Sequence, residues 1–251
     1  MNRKQALSMY LIGTFGQVLG ISLLVWFLRV GGLKVDFTSP MGIIAMIVGG
    51  LSSALWGSLA SISYHQSSFK QLLKDFFQVK DSLANYCLVL VFLLLDFFPS
   101  ILGGKIITQS LVLPVVLFFK ALLFGGIEEI GWRYFFQPTL QEKSSYLSAT
   151  LFTFLAWSIW HLFYFYIDGS LAVIQLLPFL VGLLINCFIL SALYHKTQNL
   201  WICVMTHACI NSLSQILVNE DVWLSIVSKF LIICLAIMIT KKNHIIVKEE
   251  K

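Results

Sequence analysis

Long apolar runs, separated by short polar stretches, recur along the whole chain. A helix needs about 20 predominantly apolar residues to cross a hydrocarbon core. Eight runs are close to that length or longer: Tyr10–Leu28, Met41–Ser63, Leu83–Leu102, Leu111–Phe136, Leu147–Ile167, Leu171–Tyr194, Leu200–Val218 and Trp223–Thr240. The pattern predicts an all-α, polytopic transmembrane helical bundle of about eight spans. Connections are short and composition does not shift, so residues 1–251 read as a single transmembrane domain. Between His65 and Lys80, Phe69, Leu72, Leu73, Phe76 and Phe77 alternate with Lys70, Lys74 and Lys80. That spacing suits a short amphipathic helix at the membrane surface, and equally a loop with some apolar residues.

Composition strengthens the membrane reading. The 251 residues are 58% hydrophobic and 12% charged, where soluble domains carry roughly 25% charged residues. So few charges could not cover a soluble surface. The runs recur well beyond the start of the chain, which excludes a soluble secreted protein behind a signal peptide. The net charge of +5 does not point to nucleic acid, because Lys and Arg are scattered through loops and tails. Cys87, Cys187, Cys203, Cys209 and Cys234 all fall inside apolar runs without paired spacing. They read as packing residues, with neither a disulfide framework nor a zinc knuckle.

Charge sets the orientation instead. With both termini cytoplasmic, the inner segments hold Arg3, Lys4, Lys70, Lys74, Lys80, Lys143, Lys196, Lys241, Lys242, Lys248 and Lys251. The outer loops hold Arg29, Lys34 and Lys105, beside Glu220 and Asp221. This asymmetry predicts an even number of spans with both ends inside.

Ionisable residues within spans cost about 2.5–3.5 kcal/mol on insertion scales and mark function by default. Three places stand out. In Gly125-Gly126-Ile127-Glu128-Glu129-Ile130-Gly131-Trp132-Arg133, Glu129 and Arg133 lie one helical turn apart and can form an ion pair. An ion pair locking two helices explains those two residues, but it leaves Glu128, about 100° away around the helix, without a role. His161 follows Trp157 on an aromatic-rich stretch, where a histidine taken alone is an ordinary buried residue. His207 and Asn211 share a helix face at i, i+4, which also suits interhelical hydrogen bonding. Asp96, Lys120, Asn186 and Lys229 carry no assigned role; Lys229 can snorkel to an interface.

Depth connects the three. Glu128 lies roughly 12 Å from the cytoplasmic end of its span, and His207 roughly 10 Å from the start of its own, at 1.5 Å per residue. A carboxylate and an imidazole sharing a water can take its proton and aim it at a carbonyl, with Glu128 and His161 as that pair. A second imidazole and an amide, His207 and Asn211, can stabilise the resulting oxyanion. Glu129 and Arg133 would then keep Glu128 ionised and aimed. Glu128, His161 and His207 could instead hold a divalent metal such as zinc, although the His-Glu-x-x-His motif is absent. The residues leave the choice between glutamate-activated and metal-activated water open.

The arrangement resembles the CPBP family, the CAAX proteases and bacteriocin-processing enzymes also called the Abi family. Its pattern is Glu-Glu-x-x-x-Arg, then an aromatic-x-x-x-His, then His-x-x-x-Asn, on separate transmembrane helices. Here Glu128, Glu129 and Arg133, then Trp157 and His161, then His207 and Asn211 match it, with Trp157 in place of the usual Phe. The resemblance covers about Gly125 to Asn211 and implies an intramembrane endopeptidase with its catalytic core at about 111–218, traditionally classed as a metalloprotease. The implied partners are membrane lipids and a membrane-anchored peptide or protein, a prenylated CAAX protein in eukaryotic relatives and a bacteriocin-related one in bacterial relatives. The Lys-rich tail and compact chain suit a bacterial plasma membrane. Two other readings stay open: a non-catalytic immunity or scaffold protein, and a proton-coupled transporter, for which no internal repeat is visible.

Overall fold

The structure is a computed structural model that describes residues 1–218 and 221–246; Glu220, Lys248 and Lys251, used above to orient the chain, lie outside them. The chain is an all-α membrane protein with only two two-residue strands among the described residues. Six helical stretches are long and apolar enough to cross a bilayer. They are α1 (Arg3–Val30), the pair α2 (Pro40–Gly50) and α3 (Ser52–Tyr64), α5 (Leu83–Gly103), α8 (Tyr146–Asp168), α9 (Leu176–Thr197) and α11 (Val222–Ile246). Between α3 and α5 lies the short α4 (Phe69–Phe76). Its Leu72 and Phe76 are buried while Lys70 and Lys74 are exposed, the two-sided pattern expected of an amphipathic helix.

Two of the eight expected spans take another form. The run Leu111–Phe136 breaks into α6 (Leu113–Phe124), a 3-10 turn (Gly126–Glu128), a π-helical segment (Ile130–Phe136) and α7 (Gln137–Gln141). Gly125 and Gly126 sit at the first break, where glycine weakens helical propagation. The run Leu200–Val218 yields α10 (Leu200–Leu213) and then a turn. Fourteen residues reach about 21 Å at 1.5 Å each, short of a core of about 30 Å. Beyond the helix, the Ser214 and Gln215 side chains donate to the Asn211 carbonyl and compete with helical continuation.

The chain divides into two compact units. The first comprises Met1–Leu72 and Glu128–Leu184. At its centre Tyr10 packs against Trp132, Phe135 and Phe136, with ring centroids 5.1–5.7 Å apart. Gly57 of α3 meets Gly131 of the π segment so closely that a Cβ on Gly57 would lie 2.5 Å from the Gly131 Cα. Neither position can carry a side chain without prising α3 off the segment. Arg29 closes one end of this unit by donating to the carbonyls of Tyr166 and Ile167, at the end of α8. These carbonyls lack helical partners, and a cation at a helix C-terminus is favoured by the dipole as well.

The second unit comprises Leu73–Ile127 and the chain from Ile185 onward. Here α10 packs on α6 and α5, and α11 on α5, with the Ser228 hydroxyl donating to the Leu95 carbonyl. The strands β1 (Lys105–Ile106) and β2 (Leu217–Val218) pair antiparallel. Asn199 caps α10: its Oδ1 accepts from the Trp201 N–H at 2.9 Å, while its Nδ2 donates to Asp81 Oδ2 at 2.8 Å. Partial burial pushes the Asp81 carboxyl up, but hydrogen bonds from the Ser82 N–H and the Asn199 and Asn85 amides outweigh it. The group therefore sits below its ordinary value of 3.8.

The outward faces are apolar. Ile12, Phe27, Leu90, Phe119, Phe152 and Phe230 are all exposed, while Glu128, Glu129 and Arg133 are buried. Lipid in place of water accounts for that inversion.

Candidate active site

Glu128 ends the 3-10 turn and Glu129 immediately precedes the π segment, so the adjacent carboxylates sit where helical hydrogen bonding changes register. Such segments leave backbone groups without their usual partners. The Ser53 hydroxyl donates to the Glu128 carbonyl at 3.3 Å. That commits the only Ser53 hydroxyl proton, so the Tyr10 hydroxyl, 3.0 Å away, must donate to Ser53 Oγ. Two buried hydroxyls from α1 and α3 thus tether the backbone beneath Glu128.

The Glu128 side chain is 6% exposed, and its Oε2 accepts a 2.8 Å hydrogen bond from Trp157 Nε1 on α8. Glu129 and Arg133 are fully buried, with Arg133 Nε 3.4 Å from Glu129 Oε2, so the ion pair expected from the spacing is present. The Arg133 guanidinium also lies over the Trp157 ring, 4.4 Å from its centroid. That distance is well inside the range of a cation–π contact.

His161 lies one turn along α8 from Trp157, with ring centroids 5.3 Å apart. Its Nδ1 is 2.9 Å from the Trp157 carbonyl. A carbonyl only accepts, so Nδ1 carries the proton, and in the neutral ring Nε2 holds the basic lone pair. Trp160, Phe165 and Phe179 surround the imidazole at 5.0–5.6 Å.

In the second unit, His207 is buried and Asn211 half-buried on α10. Both approach Gly125: a Cβ there would lie 2.6 Å from Asn211 Nδ2 and 3.1 Å from His207 Nε2. Gly125 is therefore the floor against which the amide and imidazole rest, and any side chain there would push them back. A cavity of about 230 Å³, lined by Lys120, Phe124, Gly125, Asn211 and Gln215 among others, opens beside it.

The two units thus each assemble part of the expected chemistry. The first joins Glu128, Glu129, Arg133 and His161 around Trp157, and the second sets His207 and Asn211 against Gly125. Among the described residues, no group of three or more His, Cys, Asp or Glu side chains is gathered as a metal site requires.

Residues 109–213 match the model of a known family, described as type II CAAX prenyl endopeptidase Rce1-like. Over that stretch the chain is similar to the Rce1-like family. The Rce1-like stretch spans rather less than half of the 251 residues and ends at Leu213, the last residue of α10. Glu128, Glu129, Arg133, Trp157, His161, His207 and Asn211 all fall inside it. No curated protein matches the chain significantly.

Sequence reasoning missed three participants. The Tyr10 and Ser53 hydroxyls lie far from the motifs in sequence and carry no local signal. Trp157 was visible as an aromatic, but not as a donor. The available signal was its indole N–H, which seeks an acceptor when buried, unlike the Phe that the resemblance leads one to expect. The place of Gly125 against Asn211 and His207 was not legible in the sequence either.

Proposed function

We propose that this chain is an intramembrane endopeptidase that hydrolyses a peptide bond of a membrane-associated substrate through water activated by Glu128 and His161. The observation that carries the reading is a buried carboxylate, held by a specific donor and flanked by a neutralised ion pair, inside an Rce1-like core. The Glu128 carboxylate takes a proton from water as the water oxygen attacks the scissile carbonyl carbon. His161, with its basic nitrogen fixed at Nε2, shares the water and orients it. The carbonyl oxygen gains negative charge, which donors from His207 and Asn211 stabilise. Collapse of the tetrahedral intermediate breaks the C–N bond, the proton passes from Glu128 to the departing amine, and a free carboxylate remains. Every step uses the chain's own side chains, and metal-activated water is the alternative that the chelator arm below tests.

The substrate class is a membrane-anchored peptide or protein, with a prenylated CAAX carboxyl terminus the first to test. The working location is the plasma membrane, of a bacterium, with cleavage toward the cytoplasmic face and both termini inside. Nucleic acid has no part in it.

The deciding experiment compares wild type with Glu128→Gln, purified in detergent at equal yield, on prenylated and unprenylated membrane-anchored peptides. Wild type is expected to cut, and Glu128→Gln to lose activity by about 10²–10⁴-fold, the usual contribution of a general base. A variant that cuts as fast as wild type would overturn the assignment. A chelator arm separates direct water activation, which resists it, from metal-activated water.

A further inference from the structure

Resting on that reading, we infer that Trp157 is a positioning residue for the reaction. Its indole N–H holds Glu128 Oε2 and so presents Oε1 to the water. The N–H lies 2.8 Å from that oxygen, and the carboxylate has only two. That bond restrains the carboxylate and favours Oε1 as the oxygen that meets the water.

The donor itself is held still. Trp157 is fully buried. The Arg133 guanidinium covers one region of its ring at 4.4 Å, the His161 ring sits at 5.3 Å, and Trp132 packs at 6.1 Å. Arg133 is in turn held by Glu129. The neighbouring ion pair therefore reaches Glu128 through the indole: Glu129 fixes Arg133, Arg133 fixes the ring, and the ring aims the carboxylate. A guanidinium near the ring also polarises it and makes the N–H a stronger donor. The backbone carbonyl of the same residue accepts from His161 Nδ1. One residue thus sets both members of the water-activating pair, the carboxylate through its side chain and the imidazole tautomer through its main chain.

A phenylalanine at position 157 would fill space and leave Oε2 without this donor. The alternative is that Trp157 acts through packing alone. Two replacements separate these: Trp157→Phe, and a benzothienylalanine introduced at position 157. The second keeps the bicyclic shape and exchanges the N–H for sulfur. Both would be assayed as full-length protein in detergent on a peptide that wild type cuts, with Glu128→Gln alongside and thermal midpoints recorded. The expected result is a fall in kcat of about ten- to a hundredfold in both, with KM unchanged, as for a misplaced catalytic group. The benzothienylalanine protein should melt with wild type. Wild-type kcat in that protein, or a rise in KM alone, would overturn the proposal while leaving Glu128 as base. Activity surviving in Glu128→Gln would instead remove the reading beneath it.

Discussion

Alanine at Gly125 would add one methyl group against the two α10 side chains assigned to the oxyanion. The backbone there is right-handed, with φ −96° and ψ −50°, so alanine adopts it without strain. The smaller unfolded ensemble favours the variant by about 0.4–1 kcal/mol. The new Cβ would sit 2.6 Å from Asn211 Nδ2 and 3.1 Å from His207 Nε2, where carbon contacts prefer about 3.5–4.0 Å. Relief requires the amide to retreat by about 1 Å and the imidazole by about half that. Both are ends of side chains, so stability should stay near wild type. Catalysis should not, since a displacement of about 1 Å can cost about a hundredfold, comparable to losing one oxyanion donor. The assay is kcat on a peptide cleaved by wild type, paired with a thermal midpoint in the same detergent. An unchanged kcat would refute the oxyanion assignment of His207 and Asn211, and a collapsed midpoint would refute the claim that the contact is local.

Other consequences concern stability. Glu129→Gln removes the carboxylate 3.4 Å from the buried Arg133 guanidinium and should destabilise the protein by about 3–5 kcal/mol. Replacing both partners by Leu and Met should recover most of that loss in thermal unfolding; a double variant as unstable as the single would sink the argument. Asn199→Ala removes the cap of α10 and should cost about 1 kcal/mol, and an unchanged midpoint would contradict the capping role. Because the Asp81 carboxyl is held below 3.8 in the folded protein, its contribution is complete above that value. It should fade as pH falls through the lower folded value. The acid-induced drop in midpoint should therefore shrink in Asp81→Asn, and an identical acid profile would count against it.

Spanning helices announce themselves through every residue they contain, which is why α1, α5, α8, α9 and α11 were legible as apolar runs. The interruption of the run at 111–136 was not, because hydropathy does not report backbone hydrogen bonding. The early end of α10 depended on two side chains turning back to the Asn211 carbonyl, a local competition that composition hides. The candidate residues were readable because an ionisable group within a span is conspicuous. Positions four apart stay neighbours even where the helix is π, so the Glu129–Arg133 pair was predictable. What joins them was not readable: the Tyr10–Ser53 relay spans 43 residues, and the Trp157–Glu128 bond spans 29.

The π segment from Ile130 to Phe136 also bears on how the chain tolerates changes in length. Hydrogen bonds there skip one residue more than in an α-helix, as if a single amino acid had been inserted and kept. Deleting any one residue between Ile130 and Phe136 would let the stretch relax into ordinary helix, with every backbone bond made. The flanking turns would keep nearly their present rotation, because the wider turns had absorbed that residue, but side chains inside the stretch, Arg133 among them, would change faces. The irregular turn therefore sets which way Arg133 faces, and one codon lost would make the backbone more regular while parting that residue from Glu129.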